Sequence, residues 1–190
     1  MWLSPLSMMD PTATPPPGDS RPSAAVLTSS DRCSAGEAPD RSGALARSLL
    51  ETDGFRVEAT AVVPDEVEDI RERVRAWAGQ GVRLIVTTGG TGLGPRDVTP
   101  EAVTPLLDRE LPGYGELLRA DGLRDTPMAV LSRSLAGSIG ATLVVVLPGS
   151  PRAVESGLKT LRPTLSHALD LLAGNTAHGL PGEGCGRRER

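Results

Sequence analysis

Apolar residues fall into two patterns that alternate along the chain. Short apolar runs, together with one run of alternating apolar positions, predict strands at residues 24–28, 56–63, 82–88 and 142–147. Between and after them, apolar residues recur at intervals of three and four, which predicts helices at residues 42–51, 65–78, 99–108, 113–121 and 154–172. Helices between strands imply right-handed crossovers, so the pattern predicts an α/β fold whose mostly parallel sheet is covered by helices on both sides.

The starts of four predicted helices carry residues suited to capping. Asp40 and Ser150 precede helices, and Asp65-x-x-Glu68 has the spacing of a capping box. Thr99 is followed by a proline at the first helical position, which is typical of an N-cap. Within the last predicted helix, Pro163 is expected to introduce a kink or a break.

Both ends of the chain differ in composition from its centre. Residues 1–22 contain six of the 17 prolines and lack apolar periodicity, which predicts a disordered leader. Residues 174–190 hold five glycines and little that could be buried, which predicts a flexible tail. One globular domain is therefore predicted at residues 23–173.

Composition and charge exclude several classes of function. With 20 Lys and Arg against 24 Asp and Glu, the net charge is −4, which does not favour nucleic acid or an anionic membrane. No run approaches the ~18 apolar residues of a membrane span. The two cysteines, Cys33 and Cys185, form no C-x-x-C motif, so neither a zinc site nor a disulfide scaffold is expected. This cysteine usage predicts a cytoplasmic location.

Three loops that follow predicted strands carry the candidate chemistry: residues 29–40, 88–97 and 148–151. Loops after parallel strands share one edge of a sheet, where ligands bind, so one anion-binding crevice is predicted. The middle loop contains four glycines that leave backbone amides accessible. It is not a P-loop, because Pro95 and Arg96 stand where Lys and Ser or Thr are required. Turn chemistry remains the alternative explanation of its glycines.

Charged residues beside these loops have a functional and a structural interpretation. Asp97 is not needed as a cap if Thr99 caps the next helix, and it suits a Mg²⁺ ligand beside substrate phosphates. On spacing alone, Asp65 fits a cap as well as catalysis. Asp31 is placed at the crevice or is a solvated loop charge, and Arg133 pairs either with an anionic substrate group or with a surface carboxylate.

The chain resembles the MoaB/Mog family of molybdopterin adenylyltransferases over nearly all of residues 25–174. The longest matching stretch is TTGGTGLGPRDVTPEA at residues 87–102. Shorter matches, in order, are TSSDR at 28–32, DRSG at 40–43, VPDE at 63–66, PGYGELLR at 112–119, LSRS at 131–134 and LPGSP at 147–151.

The resemblance implies a three-layer molybdopterin-binding fold, commonly a homotrimer, with a hexamer as the alternative. It implies that the phosphate of molybdopterin attacks the α-phosphorus of ATP, with Mg²⁺ present, and that the adenylylated product passes to a downstream molybdate-inserting enzyme. Asp65 and Asp97 match the family's important aspartates and are expected to hold Mg²⁺. The expected substrate-binding residues are Ser30, Asp31, Gly89, Gly90, Thr91, Gly92, Arg96, Arg133, Pro148, Gly149 and Ser150. A non-catalytic pterin carrier of the same fold is the rival hypothesis, and related domains in molybdate-inserting and competence-damage-inducible proteins leave the substrate open.

Overall fold

The computed structural model describes residues 19–175 of the chain. Six strands are formed: β1 (Ser23–Ser29), β2 (Arg56–Val63), β3 (Leu84–Thr88), β4 (Arg109–Glu110), β5 (Leu135–Ile139) and β6 (Thr142–Leu147). The α-helices are α1 (Asp31–Ser34), α2 (Arg41–Thr52), α3 (Val67–Gly79), α4 (Thr99–Val103), α5 (Pro112–Gly122) and α6 (Pro151–Leu172). Short 3₁₀ helices follow α4 at Thr104–Leu106 and α5 at Pro127–Leu131.

The strands form one sheet in the order β2-β1-β3-β6-β5-β4. Neighbours among the first four run parallel, whereas β5 and β4 run antiparallel to their neighbours. The mostly parallel sheet predicted from the sequence is confirmed. The antiparallel pair was not predicted, because β5 is short and contains Gly137 and Ser138 rather than a continuous apolar run.

Helices cover both faces of the sheet, and each covered face has its own apolar core. One core joins strand residues such as Val86 and Leu143 to Leu50 of α2 and Leu161 of α6. The other joins Ile85 and Val144 to residues of α3 and α4, including Ile70 and Val103. Successive side chains of a strand point to opposite faces, so β1, β3 and β6 supply residues to both cores and are almost entirely buried.

Capping was predicted correctly at two helices and wrongly at two. Asp40 accepts a hydrogen bond from the Gly43 amide at 2.8 Å, and Ser150 accepts one from the Ala153 amide at 3.2 Å. At α3, however, the N-cap is Glu66, and at α4 it is Val98; neither makes a side-chain capping bond. The capping box at Asp65 and the Thr99 cap are therefore wrong.

Other differences concern helix ends and continuity. The α-helix predicted at residues 99–108 ends at Val103; its remainder is a 3₁₀ turn over Thr104–Leu106 and two residues that precede β4. Pro163 does not divide α6, which is continuous over 22 residues. Most of the predicted leader and tail lies outside the described residues; of them, only residues 19–22 and 174–175 are described. Among helices of residues 19–175, none is both long and apolar enough to cross a membrane.

The role of α6 as the cover of one core can be tested with a matched pair of leucines on that helix. Leu161 is fully buried, whereas Leu171 is 44% exposed. We expect Leu161→Ala to lower the free energy of unfolding by about 2–5 kcal/mol, because it leaves a cavity. Leu171→Ala should change it by no more than about 0.5 kcal/mol. Urea denaturation measures both values, and similar losses in the two variants would contradict this packing.

Candidate active site

The sheet order creates one point at which neighbouring loops separate. From β1 the chain first adds β2 on one side and then β3 on the other, so β1 lies between them. In open parallel sheets such a switch point is where ligands bind, at the carboxyl ends of the strands. The segments that leave β1, β2 and β3 here are Ser30–Asp31, Pro64–Glu66 and the glycine loop, Gly89–Asp97.

Asp65 is anchored by the end of β1. Its Oδ1 accepts a hydrogen bond from Ser29 Oγ at 2.6 Å, and its Oδ2 accepts one from the Asp31 amide at 3.0 Å. In return the Asp65 amide donates to Asp31 Oδ1 at 3.0 Å, so the two loops hold each other reciprocally. These bonds explain why Asp65 is no helix cap: its carboxylate faces β1. Ser30 caps the short α1 by accepting from the Cys33 amide at 3.3 Å.

The glycine loop is packed so closely that two of its glycines have no room for a side chain. Gly89 has φ +99°, and a Cβ there would lie 2.2 Å from the carbonyl oxygen of Ser29. Gly90 has φ +60°, and a Cβ there would lie 2.4 Å from Thr99 Oγ1 and 3.3 Å from Asp65 Oδ1. Turn chemistry alone does not account for these contacts. Close approach to β1 and to Asp65 requires glycine at both positions.

Asp97 closes the far end of this loop. Its Oδ2 accepts a hydrogen bond from the Gly94 amide at 2.8 Å, and its own amide donates to the Gly94 carbonyl at 3.0 Å. A Cβ on Gly92 or on Gly94 would lie 2.8 Å from the same Oδ2. Asp65 and Asp97 therefore border the same loop, Asp65 beside Gly90 and Asp97 beside Gly92.

Arg96 ties the glycine loop to the two loops beside it. Its guanidinium donates two hydrogen bonds of 2.9 Å to the carboxylate of Asp31 and one of 2.8 Å to Glu66 Oε1. Hydrogen bonding by Arg96, then by the Asp65 amide, holds the pKa of Asp31 below its usual value. The same carboxylates raise the pKa of Arg96, with Asp31 contributing most. Asp31 is therefore more than a solvated charge: it links Arg96 to Asp65.

Arg133 supports the glycine loop from the other side. Its Nε donates to the carbonyl of Gly92 at 2.8 Å, its amide donates to the carbonyl of Thr91 at 2.9 Å, and its guanidinium also reaches the carbonyl of Asp97. The same guanidinium pairs with Glu101 and holds the pKa of that carboxyl below its usual range. Of the two interpretations of Arg133, the structure shows pairing with a carboxylate.

The third predicted loop meets the glycine loop through its backbone. Thr88 Oγ1 donates to the carbonyl of Pro148 at 2.9 Å, and a Cβ on Gly149 would lie 3.2 Å from Cα of Gly89. Ser150 uses its side chain as the cap of α6. The three loops predicted to share an edge are thus in contact.

Three further residues contact the candidate site: Ser29 and Glu66, which the sequence analysis did not single out, and Thr99, which it assigned only to a helix cap. Thr99 is fully buried, and its hydroxyl has no hydrogen-bond partner within the described chain. Ser29 lies in the TSSDR stretch, but no sequence pattern indicates its contact with Asp65, because the two residues are 36 positions apart.

The candidate site coincides neither with a cluster of metal-ligating side chains in the described chain nor with any of three cavities in it. Residues 19–175 contain no group of three or more His, Cys, Asp or Glu side chains placed to hold a metal ion. Three cavities lie elsewhere. The first is beside β4 and α5, the second is near Arg83 at the end of the sheet where the strands begin, and the third is between α2 and β2. None is lined by Asp65, Asp97 or Gly90; the structure shows that the three loops are in contact, and the crevice between them stays a prediction.

Fold and site together define an α/β protein whose glycine-rich loop and two carboxylates meet at the switch point of the sheet. The sequence model of the family described as probable molybdopterin binding domain matches residues 25–167. The chain belongs to this family. The resemblance noted from the motifs is confirmed.

Curated relatives include both long and short proteins. The molybdenum cofactor biosynthesis bifunctional protein of Chlorobaculum tepidum is 46% identical over 154 residues, which are 81% of this chain and 49% of that protein. This chain therefore spans about half the length of that relative. The molybdopterin adenylyltransferase of Helicobacter pylori strain J99 is 37% identical over 155 residues, and the match covers 79% of this chain and 87% of that protein.

Solved structures confirm the three-layer fold. MoaB from Thermus thermophilus, described as a molybdopterin biosynthesis enzyme, is 48% identical, with a TM-score of 0.76 and coverage of 80% of this chain and 96% of that one. The tungsten cofactor synthesizing protein MoaB from Pyrococcus furiosus is 33% identical, with the same TM-score and coverage of 80% and 98%.

The close approach at Gly89 predicts a large difference between two glycine substitutions. Gly36 also has a positive φ, of 74°, but a Cβ there would meet nothing within 4 Å. We expect Gly36→Ala to cost about 1–2 kcal/mol of stability from backbone strain, and Gly89→Ala about 2–5 kcal/mol, since overpacking against Ser29 is added. Equal losses in chemical denaturation would show that the contact with β1 does not constrain Gly89.

The ion pair between Arg133 and Glu101 predicts that the pKa of Glu101 changes when Arg133 is replaced. Arg133 favours the ionised form of Glu101, so Arg133→Met should raise the pKa of Glu101 toward its ordinary value of about 4.3. Titration of the Glu101 side-chain carboxyl carbon by NMR measures this shift. Glu116, which forms no ion pair within the described chain, is a reference in the same spectra. An unchanged Glu101 pKa would contradict the pairing.

Proposed function

We propose that this protein transfers the adenylyl group of ATP to molybdopterin. An oxygen of the molybdopterin phosphate attacks the α-phosphorus of ATP, the bond to the β-phosphate breaks, and pyrophosphate leaves. The observation that carries the proposal is that Asp65 borders the same glycine loop that Asp97 closes, in a chain of the molybdopterin-binding family. The adenylyltransferase relatives, which this chain covers almost completely, support it.

Backbone groups are proposed to bind the substrates. Residues Gly89, Gly90, Thr91 and Gly92 present a loop with few side chains, on which the pterin end can approach amide groups directly. Pro148, Gly149 and Ser150 border the same edge and line the site. Because phosphoryl-type chemistry mainly requires positioning and charge neutralisation, a loop fixed by Arg133 and by close packing suits this task.

The two carboxylates are proposed to act at the phosphates. Asp65 and Asp97 offer carboxylate oxygens, the donor type that Mg²⁺ accepts while keeping waters and phosphate oxygens as its other ligands, so two protein carboxylates fit it. Mg²⁺ bound there would neutralise phosphate charge. Within the chain, Asp31 and Ser30 are proposed to face the nucleotide end, and Arg96 to exchange carboxylate partners for phosphate oxygens.

Assembly and location extend the proposal. We also propose that the protein assembles as a homotrimer, with a hexamer as the alternative. It passes the adenylylated product to a downstream molybdate-inserting enzyme, and its location is the cytoplasm. Binding to nucleic acid is not expected at a net charge of −4. Sedimentation of the purified chain measures its assembly directly.

Pyrophosphate release on mixing the protein with ATP, Mg²⁺ and molybdopterin tests the reaction. We expect Asp97→Asn and Asp65→Ala each to lower turnover by about 100-fold or more, since both carboxylates are proposed metal ligands. Asp69→Asn, an exposed aspartate of α3, is the control and should retain full turnover. Normal turnover of both site variants would refute the assignment, and pterin binding without pyrophosphate release by the wild type would favour the carrier.

A further inference from the structure

Ser29 touches both halves of the candidate site. It is the last residue of β1 and is only 3% exposed. Its hydroxyl donates to Asp65 Oδ1 at 2.6 Å, while its carbonyl oxygen lies 2.2 Å from where a Cβ of Gly89 would be. One residue therefore joins the loop of Asp65 to the glycine loop.

The hydroxyl of Ser29 is a buried polar group on a face of β1 that is apolar at the two preceding positions. The two preceding residues that point to the same side of β1, Ala25 and Leu27, lie in the apolar core beneath α3 and α4. An apolar residue at position 29 would continue that core. A buried hydroxyl is tolerated only when it is hydrogen-bonded, and the partner of this one is a carboxylate.

The contact determines the orientation of Asp65. Ser29 pairs in register with Val63, two residues before Asp65, so strand pairing fixes how far apart the two side chains start. One donor on each carboxylate oxygen, Ser29 on Oδ1 and the Asp31 amide on Oδ2, prevents rotation of the group. In this orientation Oδ1 lies beside Gly90.

We propose that Ser29 is a positioning residue: its hydroxyl holds the carboxylate of Asp65 against the glycine loop in the orientation that turnover requires. The proposal rests on the proposed function, because it assigns Asp65 its work in adenylyl transfer. Ser29 does not touch substrate; it acts through Asp65. Removal of the hydroxyl should therefore lower kcat and leave the binding of molybdopterin unchanged.

Ser29→Ala tests this role, with Ser138→Ala as the matched control. Ser138, on β5, is 2% exposed and its hydroxyl has no hydrogen-bond partner within the described residues, so Ser138→Ala removes an equally buried hydroxyl that holds no carboxylate. We expect Ser29→Ala to lower kcat by roughly tenfold, with KM for molybdopterin changed less than twofold, because one charge-assisted hydrogen bond is lost. Ser138→Ala should keep both parameters. A kcat of Ser29→Ala within twofold of the wild type would overturn the proposal.

Amide hydrogen exchange gives a second readout that does not depend on catalysis. The Asp31 amide donates to Asp65 Oδ2, so its exchange reports whether that carboxylate stays in place. We expect exchange at Asp31 to be roughly tenfold faster in Ser29→Ala and unchanged in Ser138→Ala. Unchanged exchange in Ser29→Ala would also overturn the proposal. If the wild type released no pyrophosphate, the proposed function would fail while exchange still decided whether Ser29 positions Asp65.

Discussion

The close contact of three strand ends at Gly89 is the constraint on which the site depends. A side chain at this position would collide with the carbonyl of Ser29, and Gly149 approaches the same α-carbon from the end of β6. Because no side chain separates them, the loops after β1, β3 and β6 are in direct contact. A backbone contact of this kind is insensitive to charge and to pH, and the polar groups of the site are built on it.

Polar groups then fix the orientation of what the backbone brings together. Asp31 accepts from Arg96 and from the Asp65 amide, while its own amide donates to Asp65. The glycine loop is held on its other side by Arg133, whose donors go to carbonyls of that loop. Asp65 is therefore held by Asp31, and the loop that carries Asp97 is held by Arg133, so the two carboxylates proposed for catalysis are positioned by hydrogen bonds from the surrounding chain.

The sequence predicted most of the sheet, because buried parallel strands have apolar runs that are visible without any long-range information. It did not predict β5, whose pairing is defined by the turn at Gly140 and Ala141 and not by its own composition. The motifs indicated Asp65, Asp97 and the glycines. The cap assigned to Asp65 was wrong because a contact with Ser29, distant in sequence, competes with local capping for the same carboxylate. Such long-range polar contacts carry no periodic signal.

Two kinds of contact therefore hold the loops of the site together: uncharged backbone packing at Gly89 and the ion pairs of Arg96 with Asp31 and Glu66. These ion pairs are exposed to water, since the side chains of Arg96, Asp31 and Glu66 are 52%, 45% and 57% exposed. Exposed charge pairs are screened by dissolved salt, whereas close backbone packing is not. Ionic strength therefore acts selectively on this edge of the protein. Concentrated electrolyte weakens the ion pairs of Arg96 with Asp31 and Glu66 and leaves the backbone packing at Gly89 intact.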